Sequence, residues 1–361
     1  MKSNSRKQKF IAFYLPQYHR IPENDEWWGD GFTEWVTTSS ARPLFKGHEQ
    51  PNIPADLGFY NLLNPADQAA QSELALASGL DAFCYWHYWL GDGRMLLDGP
   101  RNLLLRNEQV RLPFCLGWAN HDWKGVFFGA KNRLLIKQRY PGKADIDAHF
   151  YELLPSFEDE RYFKLRGRLL FYIFKPRDLP DTHQFVERWR TLAQLERIPD
   201  FYFVGEGLSV GQAKSMGFDA SAYSRHRFIE NEGHRNRYLS FLYRKLRGLV
   251  GLRVEDYQDA IRYFLKPGMI EEGEWPSLVP GWDTTPRLGR NAFILRGRKP
   301  DLWKKHLLDA VARSRHIEEE FPLFIKSWNE WAEGNYLEPD RRYGRAFLNA
   351  FKEVCEDLSE P

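Results

Sequence analysis

Eight short apolar runs, separated by helix-like stretches, are the feature that most constrains the fold. In order they are FIAFYL (10–15), LDAFCYW (80–86), LPFCLGW (112–118), LLFYIFK (169–175), FYFVGE (201–206), FDASAY (218–223), AFIL (292–295) and PLFIKSW (322–328). Most are continuous rather than alternating, as in strands covered on both faces of a parallel sheet. The intervening stretches predict helices at 65–78, 144–155, 182–197, 208–216, 301–320 and 343–357, with Asn64 and Thr182 as caps beside Pro65 and Pro180. Pro300 opens the clearest amphipathic segment. Strands alternating with helices over this length predict a single α/β domain, residues 1–361, folded as a (β/α)8 TIM barrel; a doubly wound sheet is the alternative. No G-x-G-x-x-G follows the first strand and no P-loop is present, so a nucleotide fold lacks its usual support. The Gly/Pro/Arg-rich span 224–290 breaks the alternation and reads as an insertion on the loop face of the barrel.

Composition narrows the function. The near balance of 51 basic and 49 acidic residues leaves no electrostatic footprint for nucleic acid. The basic stretch HRNRYLSFLYRKLRGLVGLR (234–253) is the local exception; it reads first as a solvated amphipathic helix and second as a peripheral contact with an anionic membrane or a phosphorylated glycan carrier. Cys84, Cys115 and Cys355 are odd in number and have no metal-ligand spacing; Cys84 and Cys115 lie inside apolar runs and read as buried reduced thiols. The apolar run from Phe10 to Leu15 stops at Pro16, too short for a signal-peptide core or a membrane span, so a cytoplasmic protein is expected. Aromatic residues make up 16% of the chain, more than a core alone requires, which directs attention to stacking platforms for sugars or bases.

In a barrel, functional groups collect where strands end. The first run leads into YLPQYH, with Tyr14 and Gln17, and then WWGDGFTEW, with Glu34 and Trp35. The second ends in CYWHYW, with Tyr85 and His87; the third in GWANHDW, with Trp118, Asn120, His121 and Trp123; the fifth at Glu206. The eighth runs into SWNEWAEG, which holds Trp328, Asn329, Glu330, Trp331 and Glu333. Indoles and phenols mixed with amides, imidazoles and carboxylates suit sugars, whose C–H faces stack while their hydroxyls need polar partners. Glu330 and Glu333 are the natural acid–base pair, and neighbouring indoles should raise the pKa of one of them, although the sequence leaves open which. The competing reading pairs both with Arg341 or Arg342; for Glu338 and Asp340 that ion-pair reading is preferred. His87 and His121 serve equally as sugar ligands or as supporting hydrogen-bonding groups. No H-E-x-x-H, E-x-x-H or G-x-S-x-G occurs at a strand end, so no metal, other cofactor or serine triad is expected.

The segments IAFYLPQYHRIPENDEWWGDGFTEW, RPLFKGHEQPNIP, FCYWHYW, FCLGWANHDW, PGWDTTPR and SWNEWAEGNYLEPD together resemble the WbsX-type bacterial polysaccharide-biosynthesis proteins, which are related to glycoside hydrolase family 99. The resemblance runs in order from about residue 10 to 350 and adds Trp282 and Asp283 of PGWDTTPR to the expected sugar contacts. It implies a (β/α)8 barrel and retaining, substrate-assisted cleavage of α-mannosidic linkages, with Glu330 as base on the sugar's own 2-hydroxyl and Glu333 as acid on the leaving group. His121 and Asp122 stand where Glu-Asn is expected, which predicts an altered sugar preference. The expected activity is cleavage or transfer within an α-linked, mannose-like glycan of O-antigen or capsule metabolism, on an oligosaccharide or lipid-linked substrate. Two alternatives are a nucleotide-sugar-dependent glycosyltransferase, with RHRFIENEGHRNR (225–237) as diphosphate cradle, and a glycan-binding protein without catalysis.

Overall fold

In the computed structural model, which describes residues 6–125, 133–226 and 252–359, the apolar runs close into a barrel. Its strands are β1 (Gln8–Tyr14), β2 (Ala82–Trp89), β3 (Phe114–Trp118), β4 (Arg168–Ile173), β5 (Phe201–Glu206), β6 (Ala220–Tyr223), β7 (Glu274–Leu278) and β8 (Phe321–Ile325). Each pairs in parallel with the next, and β8 returns to β1 through the register Gln8↔Phe321 to Ala12↔Ile325. This is a (β/α)8 TIM barrel with extra strands; ring closure excludes the open, doubly wound alternative.

The seventh strand corrects the sequence reading. It is EWPSL, within the span 224–290 assigned to an insertion, whereas AFIL forms Phe293–Arg296 in a separate three-stranded sheet with Arg253–Asp256 and Trp282–Asp283. Pro276 and the acidic Glu274 hide β7, since proline inside a run argues against a central strand. AFIL is apolar for a different reason: Phe293 and Leu295 are buried in a small second core with Tyr257, Phe264 and Trp282. Residues 227–251, which hold most of the basic stretch and of the expected diphosphate cradle, lie outside the described residues.

The helices fall close to expectation. α1 (Pro65–Ser78) is capped by Asn64, whose side chain accepts from Ala66 N at 3.1 Å. α2 (Gly99–Leu104), α3 (Lys143–Phe157), α4 (Thr182–Leu195), α5 (Val210–Ser215), α6 (Pro300–Arg313) and α7 (Ala346–Asp357) follow. The cap of α4 is Asp181, accepting from Gln184 N at 2.9 Å, rather than Thr182. α6 stops well short of residue 320, where Ser314 caps its end by bonding Val311 O at 3.0 Å. The three cysteines are buried and unpaired.

Strand side chains alternate between the barrel interior and the surrounding helices. Inside, Phe13 stacks on Trp86 at 4.7 Å and on Phe324 at 5.5 Å, and meets the edge of Tyr172 at 4.9 Å. The opposite parity faces the helices: Tyr14 donates to Gln71 of α1 at 2.7 Å, and His87 packs on His149 of α3 at 5.0 Å. This alternation decides which strand-end residues can reach a ligand.

Candidate active site

A cleft of about 660 Å³ opens at the carboxyl ends of the strands, where the chain leaves the barrel after β1, β2, β3, β4 and β8. One wall is built by the segment after β8. Trp328 N bonds Phe13 O at 2.8 Å, and Asn329 clamps Leu15 through both its amide atoms, accepting at 2.7 Å and donating at 3.1 Å. Asn329–Glu330 then pairs antiparallel with Asn335–Tyr336 across a tight turn. Gly334 makes that turn with φ of +60°, and a Cβ there would meet Asp283 Cβ and N at 2.8 Å, so no other residue fits without displacing the neighbouring strand. The two indoles turn away from the cleft. Trp331 is fully buried, stacks on Tyr336 at 3.8 Å and donates to Glu338 at 2.6 Å; Trp328 is equally buried against Phe83. The acids Glu330 and Glu333 line the cleft.

Arg287, on the short helix Thr285–Leu288, joins these acids to a third. Its guanidinium donates to Glu333 Oε1 at 2.5 Å and to Glu34 Oε1 at 2.9 Å, and lies 3.6 Å from Glu330 Oε2. Three carboxylates around one arginine, in a site largely shut off from water, cannot all ionise cheaply. Burial first, and the adjacent Glu333 second, push the Glu330 carboxyl up to about 7, against the opposing pull of Arg287 and Lys326. Burial works against the charge on Arg287, but the three glutamates hold its pKa well above the usual value. Glu34 has no exposed side-chain surface and is fixed by Thr33, which caps its helix, and by Thr37, whose hydroxyl lies 3.3 Å from Oε2. Asp283 anchors the arginine segment from behind: it accepts from Thr285 N at 2.9 Å, contacts His48 Nε2 at 2.8 Å and accepts from Gln50 at 2.7 Å.

The facing wall carries Asn120, His121 and Trp123 after β3, and Phe174 and Lys175 after β4. Asn120 is spent on structure, exchanging bonds of 2.7 and 2.8 Å with the Lys175 backbone and donating to Tyr140 at 3.0 Å. Burial lowers the pKa of His121, which favours the neutral ring. Trp123 meets Trp27 at 5.7 Å and Tyr88 at 5.1 Å, forming an aromatic rim.

Of the residues singled out from sequence, Gln17, Glu34, Asn120, His121, Trp123, Glu330 and Glu333 line this cleft. The others are placed elsewhere. Tyr14, Tyr85, His87 and Trp118 sit on the outward parity of their strands; Tyr14 and Tyr85 pack on each other at 4.1 Å, and Trp118 donates to Trp89 O at 2.8 Å. Their neighbours Trp86 and Tyr88 take the cleft positions instead. Trp35 donates to Tyr60 O at 2.8 Å and packs on Trp331 at 5.8 Å. Glu206 lies beside Lys326 and Tyr172, its pKa raised by burial, while the Trp282 ring meets His226 at 3.9 Å in a tilted contact. Asn329, Asp283, Trp328 and Trp331 support the wall from behind. The arginine that pairs with the acids is Arg287, not Arg341 or Arg342. Among the described residues Glu338 pairs with no arginine; it accepts from Gln71, Tyr60 and Trp331, and burial pushes it up to about 7. Asp340 pairs with Arg298 at 2.7 Å. Arg287 and Lys326 were missed, although a lysine ending an apolar buried strand, PLFIK, is a signal in itself.

A closed parallel barrel with paired carboxylates at the carboxyl end of its last strand places the chain among the (β/α)8 proteins whose functional site sits on the loop face. The chain belongs to the family described as Glycosyltransferase WbsX, whose model matches residues 10–351. It is 34% identical to the WxcX protein of Xanthomonas campestris pv. campestris strain B100 over 95% of this chain and 49% of that protein. The chain thus spans about half the length of the curated relatives it matches. Among solved structures it resembles a glycoside hydrolase-like protein, with a TM-score of 0.59 and 14% identity over 98% of this chain and 95% of that one. It also resembles the GH99 endo-alpha-mannosidase from Bacteroides thetaiotaomicron, with a TM-score of 0.55 and 15% identity over 97% of both chains. At these identities the structural likeness speaks for the fold.

Proposed function

We propose that this chain is a glycan-active enzyme of bacterial cell-surface polysaccharide metabolism, cleaving or transferring within an α-linked, mannose-like glycan with retention. The observation that carries this reading is the Glu330–Glu333 pair, held by one hairpin and opening onto a cleft whose rim is formed by Trp123 and Tyr88. The WbsX family membership and the GH99-like fold support it. Glu330 acts as base on the 2-hydroxyl of the substrate; a carboxyl pushed up to about 7 is a stronger base than an ordinary carboxylate and stays usable near neutral pH. Glu333 protonates the departing oxygen, which requires the substrate to displace its 2.5 Å contact with Arg287. That contact also favours a second assignment in which the roles are exchanged, Glu330 supplying the proton.

Hydrolysis of α-linked oligosaccharides and aryl α-mannosides by the wild type, Glu330→Gln and Glu333→Gln tests both readings. Each substitution should cost about 10²- to 10⁴-fold in turnover. Aryl substrates with acidic leaving groups should rescue only the variant that lacks the acid, which separates the two assignments. Failure of the wild type on every glycan, together with tight binding of a nucleotide-sugar, would replace this proposal with a nucleotide-sugar-dependent transferase.

A further inference from the structure

Two lysines of the cleft are left unpaired by its acids. Lys326 leaves the end of β8 and turns inward, its ammonium 5.9 Å from the Phe13 ring, 6.0 Å from Phe174 and 5.9 Å from Trp282. Lys175 approaches the same Phe174 ring at 5.2 Å. Both lysines line the cleft, and among the described residues neither ammonium forms an ion pair or a hydrogen bond. The nearby acids do not supply a counter-charge in contact. Glu330 and Glu206 feel Lys326 only at a distance, and burial pushes both toward their neutral forms. Glu333 and Glu34 are engaged by Arg287, Asp122 accepts from Gln138 N at 2.9 Å, and Asp178 lines the cleft without an ion pair to either lysine. An ammonium set among three rings without a contacting anion gains some cation–π energy but loses hydration, and folding alone gives no reason to place one at the end of an otherwise apolar strand.

We infer that Lys326 and Lys175, which both reach the Phe174 ring, form a subsite for an anionic substituent on the glycan, a sugar carboxylate or phosphate. This rests on the glycan reading above and names the substrate class within it. Lysine suits the task because its point charge and rotating donors accept a small anion without demanding one planar geometry. The position also fits the chemistry: an anion held at Lys326 screens that lysine from Glu330 and so strengthens Glu330 as a base.

The test is a calorimetric or NMR titration at low salt with sodium glucuronate, glucose 6-phosphate and methyl α-glucoside. The wild type should bind at least one of the two anionic sugars about tenfold more tightly than the neutral one. That ratio should fall as salt is added, should collapse toward unity in Lys326→Gln and in Lys175→Gln, and should survive in Lys326→Arg. Whichever of glucuronate and the phosphate carries the preference identifies the group. Near-UV circular dichroism confirms that each variant is folded. Were Lys326 present only to tune Glu330, its removal would shift the pH dependence and leave the affinity ratio unchanged, which would overturn the inference. A ratio of unity in the wild type, with the neutral sugar still bound, would overturn the subsite and leave the glycan reading standing. Absence of binding by all three sugars would overturn both.

Discussion

Two sets of charged groups in the cleft are handled in opposite ways. On the β8 side, Glu34, Glu330 and Glu333 surround Arg287 within 3.6 Å, so each charge has a partner and the cost of burial is shared. By contrast, Lys326, at the end of β8, and the exposed Lys175, after β4, lie against aromatic rings with no contacting anion among the described residues. A self-compensated cluster holds its own geometry before any ligand arrives; an uncompensated one is completed by the ligand. The first arrangement suits groups that must be positioned for proton transfer, and the second suits recognition.

That contrast can be broken most severely at its hub. Arg287→Met leaves the buried Glu34 and Glu330 and the partly buried Glu333 without their shared cation and should destabilise the fold by about 3–5 kcal/mol in urea denaturation. Because Arg287 pulls the Glu330 pKa down, its loss should also move the acidic limb of the activity profile to higher pH. A variant as stable as the wild type would mean that the cluster is not self-compensated.

The pH dependence of stability tests the same wall more gently. The Glu330 carboxyl is raised from its ordinary 4.5 to about 7 in the folded state. Its contribution is therefore fully present below pH 4.5 and lost as pH rises through about 7. A shift of that size corresponds to at most about 3 kcal/mol. Glu330→Gln, which cannot ionise, should reduce the loss of stability between those pH values. An undiminished slope in this variant would assign the effect to Glu338, which burial raises in the same direction.

Smaller effects sharpen the difference between support and contact. Asp283→Asn weakens the bonds that tie His48 and Gln50 to the arginine segment and should cost about 1 kcal/mol of stability. Trp123→Ala removes part of the aromatic rim and should weaken glycan binding by about 1 kcal/mol, read as a raised KM or Kd, with little change in melting temperature. An equal loss of stability in both variants would erase the distinction.

Much of this architecture was legible before any coordinates. Continuous apolar runs are what strands buried on both faces must look like, and seven of the eight proposed runs became barrel strands. The exception is instructive, because Pro276 and Glu274 made β7 look like a loop, and neighbouring strands and a Lys266 partner for Glu274 supplied what local pattern could not. At the cleft, the sequence marked segments that line it but often picked residues of the outward parity. In CYWHYW every residue is a plausible sugar ligand, yet a strand presents only alternate side chains to one face, and a shift of one residue exchanges Tyr85 and His87 for Trp86 and Tyr88.

The sequence by itself determined the alternating plan, the strand ends where polar and aromatic residues collect, and the Glu330–Glu333 pair, because these depend on local composition and spacing. Only the tertiary structure decided that the tryptophans beside those acids belong to the core, that Arg287 rather than a sequence neighbour joins Glu34 to the pair, and that Lys326 and Lys175 meet at one ring. The Arg287–Glu34 contact joins residues 253 apart along the chain, and all three depend on the register with which the barrel closes.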